Sequence, residues 1–409
     1  MQILYSLFIQ FYVFLVRFAS IFSKKAKLWC QGRKNIFHFL EEKCAEKENI
    51  IWFHCASLGE FEQGKPLMEK IKQQEKNITL LVTFFSPSGF EIKKKDSVAD
   101  LVTYLPIDSP KNAKKFIHIV KPKKVFFLKY EFWYNYIQEL TKKNIPFFYV
   151  SAIFRENQYF FKNYGKWFLK HLQKCSFFFV QNENSKKLLQ KYGISKVIVT
   201  GDTRFDRVYA IACQSYTLDF MAEFKKNKRL LVAGSTWLPD EKLLAKLFLK
   251  INANYKLVIA PHRVEKKHIA QIKKIFHSFS VVCYSEKETK PISDYEILII
   301  DTIGILSKIY KYATLSYIGG AFKTGLHNIL EAVVFEKPVF FGPHYQKFNE
   351  AIELVKKGGA FSIKNADEMA QKILCFENDP KFYHTTCEIG KHYVSQNLGA
   401  TDKIINKLN

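Results

Sequence analysis

The chain alternates short, continuous apolar runs with stretches of helical period. In the first half the runs fall at residues 50–56, 78–85, 125–128, 146–150 and 177–180, with a helical stretch at 65–73. In the second half they fall at 229–233, 255–260, 281–283, 296–300, 315–318 and 338–341. A half-exposed strand alternates apolar and polar positions, whereas a strand covered on both faces is apolar throughout. The pattern therefore predicts an α/β protein whose parallel strands are covered by helices. Residues 203–227 hold a helical patch and the basic Lys225-Lys226-Asn227-Lys228 without a strand, and are read as the connection between two similar halves. Single cores stop growing at roughly 250–300 residues, so 409 residues favour two domains with a cleft between them.

Residues 1–22 break this pattern. They are apolar or aromatic almost throughout, interrupted by Gln10 and Arg17, and Lys24, Lys25, Lys27, Arg33 and Lys34 follow. A cleaved secretion signal has its charge before the apolar run and small residues after it, and neither is present. Roughly 16–22 apolar residues are borderline for crossing a hydrocarbon core of about 30 Å, and Arg17 can reach back to the interface. The basic flank puts the rest of the chain on the cytosolic side. Two readings stand: an anchor that spans or lies on a membrane, and a buried first helix.

Composition narrows the partners. The formal net charge is +25, from 63 basic and 38 acidic residues, which suits nucleic acid, an anionic membrane surface or anionic small substrates. The lysines are spread along the whole chain and no nucleic-acid motif appears. Runs such as Lys93-Lys94-Lys95 and the group Lys121, Lys123 and Lys124 read as solvated faces. The eight cysteines include no C-x-x-C pair and no histidine at ligand spacing. A reduced, cytosolic body without structural zinc is expected.

Parallel sheets gather chemistry where strands end at their carboxyl edges. Glu60, Ser86, Asp108, Glu131 and Arg155 each follow an apolar run, which points to one site. Glu60, after the turn Ser57-Leu58-Gly59, reads either as a general base toward a hydroxyl or as a helix cap. In the second half, Gly319-Gly320-Ala321-Phe322 ends a strand and a helix is expected to start near His327. Unpaired N–H groups and the positive helix end would suit a phosphate there. Glu331 is placed to accept from sugar hydroxyls, although an ordinary strand-to-helix turn has the same pattern. Ser235 and Thr236 either donate to phosphate or cap a helix, and Pro261-His262-Arg263 is an anion site or a solvated loop. His327 reads as structural rather than catalytic. No nucleophile triad and no Asp-x-Asp metal motif is present.

Eight ordered motifs together are more specific than any one of them. They are His54-Cys55-Ala56-Ser57-Leu58-Gly59-Glu60, Tyr104-Leu105-Pro106-Ile107-Asp108, Glu131-Phe132-Trp133-Tyr134-Asn135, Gly201-Asp202-Thr203-Arg204-Phe205-Asp206, Ala233-Gly234-Ser235-Thr236, Asp301-Thr302-Ile303-Gly304, Gly325-Leu326-His327-Asn328-Ile329-Leu330-Glu331 and Gly342-Pro343-His344. In order and spacing the chain resembles, over roughly residues 1–400, the 3-deoxy-D-manno-octulosonic acid (Kdo) transferases of lipopolysaccharide assembly. The resemblance implies the type B glycosyltransferase fold (GT-B), with two Rossmann-like domains facing across a cleft. Residues 1–22 would be a membrane anchor, 23–210 the acceptor-binding domain and 211–409 the CMP-Kdo-binding domain.

The implied activity is inverting transfer of Kdo from CMP-Kdo to the lipid A precursor (lipid IVA), without metal or cofactor. It would take place at the cytoplasmic face of a Gram-negative inner membrane, with an anionic membrane surface and no nucleic acid as partner. Glu60 would be the general base, and Glu131 and Arg204 would support the transition state. Pro261, His262, Arg263, Ile303, Gly304, Ile305, Asn328, Ile329, Leu330 and Glu331 would hold the CMP, with Ser235, Thr236, Gly319, Gly320 and His327 in the same donor site. The chain departs from the family pattern in four places. The usual Pro-Arg-His appears as Pro261-His262-Arg263, the usual Gly-Glu as Gly304-Ile305, the usual Gly-Gly-His-Asn as Gly325-Leu326-His327-Asn328, and a usual Lys as Arg204. Two other readings are kept: a GT-B enzyme with a UDP-sugar donor, and a non-catalytic basic protein that binds membrane or nucleic acid.

Overall fold

The computed structural model describes residues 2–94, 96–289, 291–323 and 325–408. Lys95, the end of the basic run noted above, lies outside them. Contacts divide the chain into two units, Met1–Arg207 with Leu398–Asn409, and Val208–Asn397. Among the described residues each unit is built on a seven-stranded sheet.

In the first unit the strands are β1 (Ile50–Cys55), β2 (Thr79–Phe84), β3 (Leu101–Tyr104), β4 (Lys124–Leu128), β5 (Phe147–Ala152), β6 (Phe177–Val180) and β7 (Val197–Val199). They pair in parallel in the order β3-β2-β1-β4-β5-β6-β7. Phenylalanines of neighbouring strands stack across one face: Phe53 on Phe126 at 4.7 Å, Phe126 on Phe148 at 5.1 Å, and Phe148 on Phe179 at 6.1 Å. Burial of such rings against neighbouring strands is what selects the apolar runs. The strand order turns back between β1 and β4. In a doubly wound sheet that switch opens a crevice at the strands' carboxyl ends.

The second unit has β8 (Arg229–Thr236), β9 (Tyr255–Pro261), β10 (Val281–Cys283), β11 (Ile297–Ile299), β12 (Leu315–Ile318), β13 (Val339–Phe341) and β14 (Ala360–Ser362). These are parallel too, in the order β10-β11-β9-β8-β12-β13-β14, with the switch between β8 and β12.

Three expectations change in detail. The helix read at 65–73 runs Leu58–Gln74, with Pro66 inside it. The connection at 203–227 is two helices, Thr203–Ala212 and Asp219–Lys225, and the unit boundary falls within the first of them. The sequence reading runs the second domain to residue 409, whereas the last helix, Ala400–Leu408, joins the first unit. Ile404 and Ile405 enter that unit's core, and the Asp206 carboxylate accepts from the N–H groups of Gly399 and Thr401.

Residues Gln2–Ala19 form a helix. Tyr5, Ile9 and Val13, spaced to share one face, turn toward the first unit: Ile9 and Val13 are buried, and Tyr5 packs against its core. Leu4, Phe8, Phe11, Phe14, Leu15 and Phe18 are exposed. Among the described residues no helix is long and apolar enough to cross a membrane.

Candidate active site

In the first unit, β1 ends at Cys55 and Ser57 opens the helix Leu58–Gln74, which puts Glu60 in its first turn. A capping Ser accepts a backbone N–H. Ser57 makes no such bond, and its hydroxyl instead donates to Glu60 Oε2. Glu60 therefore sits as a hydrogen-bond acceptor in the first turn of the helix, at the end of β1. Glu60 Oε1 lies 4.0 Å from Lys129 Nζ. Lys129 opens the turn after β4 with φ of 59°, a left-handed conformation that costs energy in a non-glycine residue.

Glu131 follows on the same turn. Its Oε2 accepts from Trp133 Nε1 at 2.9 Å and lies 3.2 Å from His54 Nε2, while its carbonyl accepts from the Tyr149 hydroxyl at 3.2 Å. Burial raises the Tyr130 phenol, Arg155 and Arg204 oppose that shift, and Asp202 and Glu60 add to it. Charges of both signs thus surround this ring. The Cys55 thiol is pushed well up, first by burial and then by Glu60 and Glu131, which places both carboxylates near the end of β1.

Arg204 is held by Asp202, with Nε to Oδ2 at 2.8 Å, and Gln63 Nε2 donates to Asp202 Oδ1 at 2.6 Å. Burial alone would raise the Asp202 carboxyl, but Arg204 and Lys129 hold it below its ordinary value. Glu60, Glu131 and Arg204 are therefore gathered beside the β1/β4 switch, with Arg155 near them. Two of the strand-end residues do other work. Ser86 caps the helix Pro87–Lys93, and buried Asp108 accepts the Asn135 and Tyr136 N–H groups at the start of the helix Tyr134–Lys142.

In the second unit most of the expected donor residues lie about the β8/β12 switch, whereas Ile303, Gly304 and Ile305 follow β11, two strands from β8. Ser235, next to last in β8, has φ of 54°. A Cβ on Gly319, which follows β12, would lie 2.4 Å from the Ser235 carbonyl oxygen, so this approach requires glycine. Thr236 donates to Glu241, and its carbonyl accepts the His262 N–H at 2.9 Å, just beyond buried Pro261. Trp237, His262 and His327 stack with ring centroids 4.6 Å apart, and Arg263 lies over Trp237 at 5.1 Å. Trp237 Nε1 donates to His327 Nε2 at 3.1 Å. Burial, then His262, pushes His327 down to about 4, and burial, then Arg263, lowers His262. Arg263 is the cation of this group at neutral pH. Asn328 bridges Leu330 N–H and Glu331 Oε1, with Ile329 and Leu330 buried beside it. Ile303, Gly304 and Ile305 form the loop after β11, where Ile303 is exposed and Gly304 has φ of 102° with open space around it.

The phosphate cradle expected at Gly319 and Gly320 is corrected. The Gly319 N–H donates to the Gly234 carbonyl and the Gly320 N–H to Asp240 Oδ2, while those of Gly325 and His327 donate back to Gly320 and Gly319. The helix begins at Leu330, not near His327, and ends at Val333. Asp240 also accepts from Tyr317 at 2.7 Å and from the Trp237 N–H at 2.9 Å, so a buried carboxylate takes the place that an incoming anion was expected to fill. Sequence reasoning missed Asp240 and Trp237 here, and Gln63, Lys129, Tyr130 and Asp202 in the first unit. Of these, only Asp202 lay in a motif that had been singled out.

Residues 31–207 match the family described as 3-deoxy-D-manno-octulosonic-acid transferase (kdotransferase). The chain is 27% identical over 342 residues to the 3-deoxy-D-manno-octulosonic acid transferase of Aquifex aeolicus, covering 82% of this chain and 88% of that one. Residues 31–207 thus carry the Kdo transferase domain, and the matches together support a Kdo transferase. It is also 28% identical over 349 residues to a bifunctional glycosyltransferase/methyltransferase of Fusobacterium nucleatum, covering 81% of this chain. It spans only 53%, about half, of that relative's length. Among solved structures, UDP-GlcNAc 2-epimerase from Neisseria meningitidis superposes with a TM-score of 0.62 at 15% identity, covering 88% of this chain and 99% of that one. At that identity it shows the fold alone, a GT-B-like pair of parallel-sheet α/β domains.

Proposed function

We propose that this Kdo transferase moves Kdo from CMP-Kdo to lipid IVA with inversion, using neither metal nor cofactor. The observation that carries the reading is Glu60, whose carboxylate is held by the Ser57 hydroxyl at the β1 edge, within the stretch that matches the family. The acceptor hydroxyl oxygen attacks the anomeric carbon of Kdo and its proton passes to a Glu60 oxygen. As the new C–O bond forms, the bond to the CMP phosphate oxygen breaks and its electron pair leaves with CMP. Glu131 and Arg204 support the charge that develops on Kdo. In the second unit Arg263 supplies the cation for CMP, and Asn328 with Glu331 supplies hydrogen-bonding groups for its sugar.

The N-terminal helix holds the protein on the cytoplasmic face of the inner membrane. Its exposed apolar side enters the lipid while Lys24, Lys25 and Lys27 meet the anionic surface, each basic residue adding about 1 kcal/mol.

The test is to incubate the protein with lipid IVA and enzymatically generated CMP-Kdo and to weigh the lipid product by mass spectrometry. Addition of Kdo mass is expected, unchanged by EDTA and lost in Glu60→Gln, which stays folded and still binds CMP. A protein whose melting temperature rises more with UDP than with CMP would instead be a transferase with a UDP-sugar donor.

A further inference from the structure

Three side chains with no part in the transfer step lie together against Glu131. The parallel register of β1 and β2 sets His54 directly opposite Thr83. Trp52, two positions back along β1, shares its face. All three are fully buried. Trp52 Nε1 lies 2.7 Å from Thr83 Oγ1, and because an indole can only donate, Thr83 accepts there and sends its single proton elsewhere. Two acceptors are within reach, His54 Nδ1 at 2.8 Å and the Phe53 carbonyl at 3.5 Å. The proton is assigned to the shorter contact, which makes Nδ1 the acceptor and leaves the ring proton on Nε2. That Nε2 faces Glu131 Oε2 at 3.2 Å, where Trp133 also donates.

We propose that His54 is a positioning residue for Glu131, the last member of a one-way relay that runs from Trp52 through Thr83 and His54 to the carboxylate. This rests on the reading of Glu131 as a supporting group in the transfer step. Every proton in the relay points toward the carboxylate, and aligned hydrogen bonds polarise one another. With Oε2 fixed by two N–H donors, Glu131 presents its other oxygen in one orientation, so no side-chain search precedes each turnover. Burying three polar side chains where apolar ones of the same shape would serve stability about as well is accounted for by that orientation.

The experiment combines kinetics with the ring nitrogens of histidine. Thr83→Val keeps the shape and removes the hydroxyl, while Thr83→Ser restores the hydroxyl. The expected result is a kcat about tenfold lower in Thr83→Val, the worth of roughly one hydrogen bond. KM for both substrates should stay within about twofold, and Thr83→Ser should recover the rate. His54→Gln should lower kcat by at least as much. In nitrogen-15 spectra, the ring signals that disappear in His54→Gln should report the Nε2–H form in the wild type and shift in Thr83→Val. Unchanged kcat in Thr83→Val and His54→Gln, in a protein that does transfer Kdo, overturns the proposal. Should the wild type transfer no Kdo, the proposed function fails, and the spectra still decide the relay: an Nδ1–H ring overturns it and an Nε2–H ring sustains it.

Discussion

The Tyr5 hydroxyl donates to Asp108 Oδ2 at 2.6 Å. The same carboxylate accepts from the N–H groups of Asn135 and Tyr136, at the start of the helix that follows Glu131 and Trp133. Tyr5 also packs edge-on against Tyr134 at 5.5 Å and Trp167 at 6.4 Å. The apolar N-terminal helix is thus fastened to the segment that carries Glu131. Tyr5→Phe keeps the ring packing and removes a donor from a buried carboxylate, a loss of about 1–3 kcal/mol. Urea unfolding of the full chain should show that loss, and an unchanged midpoint would mean the bond contributes nothing.

Burial raises the Asp108 carboxyl to about 6, and the hydrogen bonds from Tyr5, Asn135 and Tyr136 offset only part of the shift. A folded-state value above the unfolded one means the folded protein holds this proton more tightly. The stability gained is full below about pH 4 and is lost as pH rises through about 6, a change of roughly 3 kcal/mol at most. The stability of the wild type minus that of Asp108→Asn should therefore fall between pH 4 and 6.5 and level off above. A difference that is flat across this range contradicts the burial of a titrating carboxyl.

The parts of the molecule differ in how far the sequence reveals them. Runs such as 50–56 and 315–318 announce buried strands because residues covered on both faces have no polar side to show. The strand order is not visible in them, since whether β4 lies beside β1 or beside β3 is decided by crossovers rather than by local pattern. Glu60 and Glu131 could be read as strand-end carboxylates of one site, but that the site lies at the β1/β4 switch could not. The glycine turn shows the limit from the other side. Gly319-Gly320 looks like a free anion cradle until Asp240, distant in the chain, is found on the Gly320 N–H. His54 stands at the head of a motif but carries no role in the sequence, because the hydroxyl it meets comes from the neighbouring strand.

Gly319 and Gly304 make a matched pair for testing close approach against conformation. A methyl group on Gly319 would meet the Ser235 carbonyl oxygen at 2.4 Å and Thr236 Cα at 2.7 Å, both backbone atoms that cannot swing aside. Gly304 has φ of 102° but nothing within 4 Å of an added Cβ. Gly319→Ala should cost about 1–3 kcal/mol or more through displaced backbone. Gly304→Ala should cost only the conformational strain, about 1–2 kcal/mol. Calorimetry that ranks Gly304→Ala as the more damaging would refute this picture of the β8/β12 edge.

His327, pushed down to about 4 by burial and by His262, is expected to stay uncharged throughout the physiological range. Its folded-state value lies below that of a free imidazole, so its contribution to stability is present above about pH 6.5 and declines as pH falls toward 4. Histidine ring titration followed by NMR should find one residue with this low midpoint, and replacing its neighbour as His262→Gln should raise that midpoint. A His327 midpoint near 6.5 in the wild type would be incompatible with the stacked arrangement of Trp237, His262 and His327.

Leu4, Phe8, Phe11 and Leu15 are 61%, 65%, 59% and 46% exposed, and their spacing sets them on one stripe of the helix Gln2–Ala19. Tyr5, Ile9 and Val13 hold the opposite side against the protein, so the stripe can enter a lipid surface without the helix leaving its seat. Each such side chain contributes about 1.5–3 kcal/mol when fully removed from water and less at an interface. Replacing Phe8, Phe11 and Leu15 together by Ser should lower binding to vesicles containing anionic phospholipid by about a hundredfold or more. Because the inward face is untouched, the variant should still fold and still transfer Kdo to detergent-dispersed acceptor. Raising salt should weaken vesicle binding of the wild type through screening of Lys24, Lys25 and Lys27, but should not abolish it while the apolar stripe remains. Equal vesicle binding by the triple variant and the wild type would remove the N-terminal helix as the membrane contact.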